Sequence, residues 1–117
     1  MIPKSYPNPP IVEDEKWTAF LNGLSGNYAD AARALWGKLV RSVPQIRIPQ
    51  AGPTPDGSFQ LVWDRGEHHV EVDVYPEGHL EWFYRNRRTG EVEGADEQIG
   101  DLPPLLVKHL ESCAFGV

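Results

Sequence analysis

Apolar and polar residues alternate strictly through three stretches in the middle of the chain. Phe59, Leu61 and Trp63 alternate with Gln60, Val62 and Asp64. Val70, Val72 and Val74 alternate with His69, Glu71 and Asp73, and Leu80, Trp82 and Tyr84 alternate with His79, Glu81, Phe83 and Arg85. A period of two marks half-buried strands, because successive side chains point to opposite faces. Pro76-Glu77-Gly78 suits a three-residue hairpin loop, with Pro pre-set for the first turn position and Gly free to take positive φ. That loop puts Tyr75 opposite His79 and pairs Val74 with Leu80, Val72 with Trp82 and Val70 with Tyr84. Arg65-Gly66 reads as a two-residue loop, which pairs Leu61 with Val70 and Phe59 with Val72. Both registers keep the apolar residues on one side, an agreement that a one-residue slip would break.

The opposite side of this meander is acidic. The registers put Asp73 opposite Glu81, Gln60 opposite Glu71, and Glu71 opposite Phe83. Like charges directly opposite each other destabilise a sheet by about 0.2–1 kcal/mol. One reading is a solvated sheet face. The sharper one is a surface kept acidic to receive a basic partner, with Glu71, Asp73, Glu81, Phe83 and Val62 as the binding residues and the last two as apolar anchors.

Helical periodicity flanks the meander. Trp17, Phe20, Leu21 and Leu24 share one face of a helix that opens at Glu13-Asp14-Glu15, with acids at its positive end, and is bounded by Gly23 and Gly26. Tyr28, Ala32, Leu35, Trp36, Leu39 and Val43 share a face of a second helix, from about Asn27 to Pro44, with Ser25 or Asn27 as its cap. Ile46-Arg47-Ile48, between prolines, predicts a short edge strand or extended connector, and Pro55-Asp56-Gly57 a turn. Beyond the loop Arg87-Arg88-Thr89-Gly90, Glu91-Val92-Glu93 predicts a short fourth strand, with Val92 facing Tyr84 and Glu91 paired with Arg85. Five acids between Glu91 and Asp101 suggest a solvated connector. Asp101 is placed to cap a last helix that tolerates Pro103 and Pro104 in its first turn. Its buried stripe is Leu102, Leu105, Leu106, His109, Leu110 and Cys113. The order of helix, helix, three or four antiparallel strands and helix predicts a single α+β domain over residues 13–117, with the helices on one face of the sheet. Residues 1–12 read as an extended, Pro-rich arm. If it lay on the outer face, it would cover Phe83.

Composition narrows the function. A net charge of −6 argues against a general nucleic-acid binder. The helix–strand–strand–strand–helix order is shared with the double-stranded-RNA-binding domain, but the last helix here opens on Asp101-Leu102-Pro103-Pro104, where such domains place basic residues. The basic spot Arg85, Arg87 and Arg88 reads as a hairpin tip. The single Cys113 excludes an internal disulfide and suits a reducing compartment. With neither an apolar run for a membrane span nor an h-region in MIPKSYPNPP, a cytoplasmic protein is expected.

Catalytic chemistry finds little footing. His68, His69 and His79, with Glu71 and Asp73, invite a metal reading. The register, however, puts His69 and His79 on the order of 20 Å apart along the hairpin, whereas zinc needs its ligands at about 2 Å. Cys113 and His109 lie one helical turn apart, but no orienting group accompanies them, and Cys113 reads as a core thiol. Gly23-Leu24-Ser25-Gly26 lacks the Lys and the preceding strand of a phosphate loop. No cofactor is expected.

Pro44-Gln45-Ile46-Arg47-Ile48-Pro49, Pro55-Asp56-Gly57 and Leu61-Val62-Trp63 carry a resemblance, over roughly Trp17 to Gly94, to small bacterial proteins of unassigned activity. These have an N-terminal Trp-containing helix, a proline-bounded Ile segment and P-D-G-x-x-x-L-x-W entering a β-meander. The resemblance implies bacterial or phage origin and an accessory role, such as an antitoxin, immunity or regulatory protein, and brings no catalytic residue. The leading expectation is a non-enzymatic module that binds a basic protein. Two alternatives stand beside it: a metal-binding protein or small enzyme using His69, Glu71, Asp73 and Glu81, and a homodimeric structural protein.

Overall fold

The computed structural model describes residues 15–24, 26, 28–98 and 100–115. The expected arm, the helix start at Glu13-Asp14, and Ser25 and Asn27 as caps lie outside them. Two helices, α1 (Glu15–Asn22) and α2 (Ala29–Ser42), precede five strands: β1 (Gln50–Pro53), β2 (Phe59–Arg65), β3 (His68–Val74), β4 (His79–Asn86) and β5 (Val92–Gln98). Helix α3 (Pro104–Phe115) follows. The strands form one antiparallel sheet in the order β1-β2-β3-β4-β5.

The β3–β4 hairpin has the expected register, with Val74, Val72 and Val70 opposite Leu80, Trp82 and Tyr84. Tyr75 N–H donates to the His79 carbonyl at 2.9 Å, and Gly78 takes φ +94° in the turn. The β2–β3 hairpin departs from expectation by two residues. Phe59 faces Val74, Leu61 faces Val72, Trp63 faces Val70 and Arg65 faces His68, so Gln60 lies opposite Asp73 and not Glu71. The loop is Gly66-Glu67. An Arg65-Gly66 loop of the type that needs positive φ at both positions would force Arg65 left-handed, whereas Gly66 as first loop residue takes φ +60° without penalty. Because the shift is two residues, each side chain keeps its face.

Two further expectations are corrected. The edge strand is β1 at residues 50–53 and not Ile46–Ile48: Ile46 is buried in the core, and the Arg47 carbonyl accepts from Trp63 Nε1 at 2.8 Å. The segment read as an acidic connector is the seven-residue β5, which makes five strands where three or four were expected. Its register also differs by one, with Val92 opposite Arg85 and Glu93 opposite Tyr84, so Val92 is exposed on the outer face.

The inward apolar residues of β2, β3 and β4 are all buried and join Trp17, Leu35, Trp36, Leu39, Val43, Leu106, Leu110 and Cys113 in one core. All three helices therefore cover the same sheet face. The aromatic end is closed by Tyr28, Phe59 and Phe20, with the Tyr28 and Phe59 rings stacked at 5.1 Å. Helix α3 begins three residues after Asp101, which therefore does not cap it, and Leu105 falls outside the buried stripe at 46 % exposure. The His109 ring stacks on Tyr84 at 3.5 Å, and its Nε2 meets Glu93 and not Cys113. Burial, with a smaller push from Asp64, raises the Cys113 thiol to about 12, as expected for an inert core cysteine.

Gly94 faces Phe83 across the last strand pair, and a Cβ there would lie 2.7 Å from the Trp82 carbonyl oxygen. Backbone cannot yield as a side-chain tip can. Gly94→Ala is expected to destabilise the fold by about 1–3 kcal/mol, read as a lower urea midpoint with unchanged slope.

Candidate acidic sheet face

The sheet face turned away from the helices is ordered in rows by the strand registers. One row reads Gly52, Gln60, Asp73, Glu81, Asp96, and the next reads Gln50, Val62, Glu71, Phe83, Gly94. A third holds Asp64, His69, Arg85 and Val92. All five residues expected to bind a partner thus lie on one face, in two adjacent rows. Asp96 joins them, a residue that the sequence pattern does not single out, because the acid-rich stretch of β5 reads as a connector. Asp73, Glu81 and Asp96 stand abreast on three neighbouring strands, so Glu81 has a carboxylate on each side.

The outer rows neutralise only part of this charge. Gln60 Nε2 donates to Asp73 at 2.9 Å, and Tyr75 Oη donates to Glu81 at 3.2 Å. His69 sits between Asp64 at 2.9 Å and Glu71 at 2.8 Å, its two ring nitrogens each facing a carboxylate. The ion-paired arginines are employed elsewhere: Arg87 holds Asp64, Arg88 holds Glu67 and Arg33 holds Asp30. Arg87 and Arg88 are therefore the tied-down tip of the sheet, whereas Arg85, expected there with them, lies within β4 opposite His69. Among the described residues, no Lys or Arg pairs with Glu71, Asp73, Glu81 or Asp96. Between these four carboxylates lies an open hollow of about 410 Å³ that Phe83 helps to line, with the Arg85 guanidinium 5.7 Å from the Phe83 ring centre.

Burial, with neighbouring carboxylates adding to it, shows in the proton affinities of this face. Burial raises the Asp73 carboxyl above its ordinary range; the Gln60 hydrogen bond offsets part of this, and Glu71 and Asp56 add to the rise. Tyr75 is pushed up to about 12, first by burial and then by Glu81 and Asp56. Asp64 lies below its ordinary range because Arg87, then His69, hydrogen-bond its charged form. A carboxyl raised by folding stabilises the native state when protonated. Asp73 therefore contributes its full stability below the unfolded value and loses it as pH rises through the folded one. Asp73→Asn keeps an acceptor for Gln60 and removes the charge. It is expected to raise stability at neutral pH by about 0.2–1 kcal/mol and to erase that gain in acid, as measured by urea unfolding at the two pH values.

His69, Glu71, Asp73 and Glu81 do not converge as a metal-ligand set. Two other groups bring ligand atoms within 4.8 Å of one another: His79, Glu81 and Asp96 on the outer face, and Glu91, Glu93 and His109 at the inner edge. The first offers mixed nitrogen and oxygen donors of the kind a divalent cation accepts. In the second, His109 is already bound to Glu93 and stacked on Tyr84. No helix among the described residues is long and apolar enough to cross a membrane. No family model matches the chain, and no curated protein or solved structure matches it.

Proposed function

We propose that this protein is a non-enzymatic binding module whose outer sheet face captures a basic partner protein, in the manner of an antitoxin, immunity or regulatory protein. The observation that carries the reading is the row Asp73–Glu81–Asp96, three adjacent carboxylates with no Lys or Arg counter-charge among the described residues. Folding alone disfavours this arrangement, since each like-charged pair opposes sheet formation. A cationic surface laid against it would turn the repulsion into attraction. Phe83, half-buried beside Glu71, supplies the aromatic contact that dominates many interfaces.

Capture of proteins from the native host at low and high salt tests the reading. The expected partner is basic and is released by salt, because charge complementarity acts mainly on the association rate and is screened. Phe83→Ala should weaken the same complex by about 1–2 kcal/mol without changing its salt dependence. A partner that is acidic, or one held equally by wild type and Phe83→Ala at every salt concentration, would sink the proposal.

A further inference from the structure

The open edge of the sheet has features that the outer face does not explain. Asn86 N–H donates to the Glu91 carbonyl at 2.9 Å, the first rung between β4 and β5. Antiparallel ladders alternate, so the backbone groups of Glu93, Ala95 and Glu97 turn toward β4, while those of Val92, Gly94, Asp96 and Gln98 face outward. Strand β5 is last in the sheet and has no further strand beside it among the described residues; its acids Glu93, Asp96 and Glu97 guard it against another acidic edge but not against a basic one. Natural proteins usually blunt so long a free edge.

Beneath that edge, on the helix side, is a groove of about 560 Å³ between β5 and the start of α3. Glu93, Ala95, Glu97, Pro103 and Leu105 line it, with Val92 at its rim. Of the three large apolar residues exposed among those described, two are here: Val92 at 55 % and Leu105 at 46 %. Trp82 also lines the groove at 5 % exposure, and its buried indole N–H has no acceptor. Its place in the lining makes that N–H a reporter of what enters the groove.

We infer that the β5 edge and this groove receive an extended segment of another protein as an added strand, with an aliphatic side chain inward against Ala95 and Leu105 and a basic side chain toward Glu97. Strand addition supplies main-chain hydrogen bonds, and alternate side chains supply the specificity. Charge decides against a second copy of this chain. Two β5 strands side by side would bring the acids Glu93, Asp96 and Glu97 of one up against those of the other, in molecules each of net charge −6. A basic segment meets the same residues with opposite sign. The inference does not depend on the acidic outer face, since the edge, the groove and the Trp82 donor belong to the rim and inner side of the sheet.

The test is a capped peptide alternating lysine and valine, matched to the seven residues of β5, titrated into the full-length, isotope-labelled protein. The expected result is a set of saturable shifts at the amides of Val92, Gly94, Asp96 and Gln98 and at the Trp82 indole N–H, with slowed hydrogen exchange at those four amides. N-methylation of alternate peptide residues, which removes the donors a strand needs, should weaken binding about tenfold or more. Leu105→Glu, at an exposed position, should do likewise with the fold retained. Failure of the lysine–valine peptide to bind would overturn the inference, as would equal binding of the methylated peptide. So would shifts confined to Glu71, Asp73 and Phe83, which would mean adhesion to the acidic face only. Slow exchange at the four amides without peptide would also overturn it, showing in a monomer that the chain covers its own edge and in a dimer that a second copy does.

Discussion

Trp82→Ala is expected to remove about 3–5 kcal/mol from the free energy of unfolding, a large part of the roughly 5–15 kcal/mol that holds a domain of this kind. Trp82 stands opposite Val72 on one side and Ala95 on the other, and its ring lies 6.1 Å from that of His109 on α3. The cavity left by truncation would be walled by sheet backbone and by α3. Neither can collapse inward without breaking the hydrogen-bonded ladder or moving Leu106 and Leu110, both fully buried. Trp82→Phe separates packing from polarity. It keeps most of the apolar volume and deletes the unpaired indole N–H, so its cost should be under about 1.5 kcal/mol. Urea unfolding followed by circular dichroism measures both. A loss below about 1.5 kcal/mol for the alanine variant would show that β4 and α3 do not close over this residue.

What was legible in the sequence was whatever repeats with a clean period. The β3–β4 hairpin could be read in full because Val70, Val72 and Val74 and Leu80, Trp82 and Tyr84 are apolar on one side only, and because Pro76 and Gly78 leave a single plausible turn. The β2–β3 register slipped by two residues for a definable reason: alternation fixes which face a residue takes but not its position along the strand. Only the φ demand at Gly66 chooses between the two loops. Strand β5 was hidden because acids occupy its inner positions. Glu93 is tolerated there through its bond to buried His109, and Glu97 borders the open groove, so tertiary context replaces the apolar pattern. Strand β1, Gln50–Pro53, is an edge with only Ala51 partly packed on the core, too little to register as alternation. The acidic face was legible to the extent that its members lie on β2, β3 and β4. Asp96, which turns a pair of carboxylates into a row of three, came into view only with β5.

Replacing Asp73 and Glu81 together by lysine is expected to abolish capture of the basic partner while leaving the fold intact. Each substitution changes the charge by +2, so the net charge moves from −6 to −2, by −6 + 4, and the whole change falls on two facing residues of one row. Within the fold the effects nearly cancel. The like-charged pair at 73 and 81 remains like-charged with its sign reversed, but the residue at 81 now attracts Asp96 where it had repelled it. Two hydrogen bonds are lost, from Gln60 and from Tyr75, both on partly exposed groups and each worth about 0.5–1.5 kcal/mol. Stability should therefore fall by no more than about 1–2 kcal/mol, and the native circular dichroism should persist. Toward a cationic partner there is no such cancellation. The centre of the face turns from attractive to repulsive, and like charges juxtaposed at an interface cost several kcal/mol, equivalent to a loss of at least about 100-fold in affinity. Glu81→Lys alone separates the contributions: it meets Asp73 and Asp96 with opposite sign, so it should leave stability unchanged or higher while still slowing association. Binding kinetics across a salt series, with the partner recovered from the host, decides the matter. If the double variant binds that partner as wild type does, with the same salt dependence, the acidic row is a solvated surface and recognition lies elsewhere on the molecule.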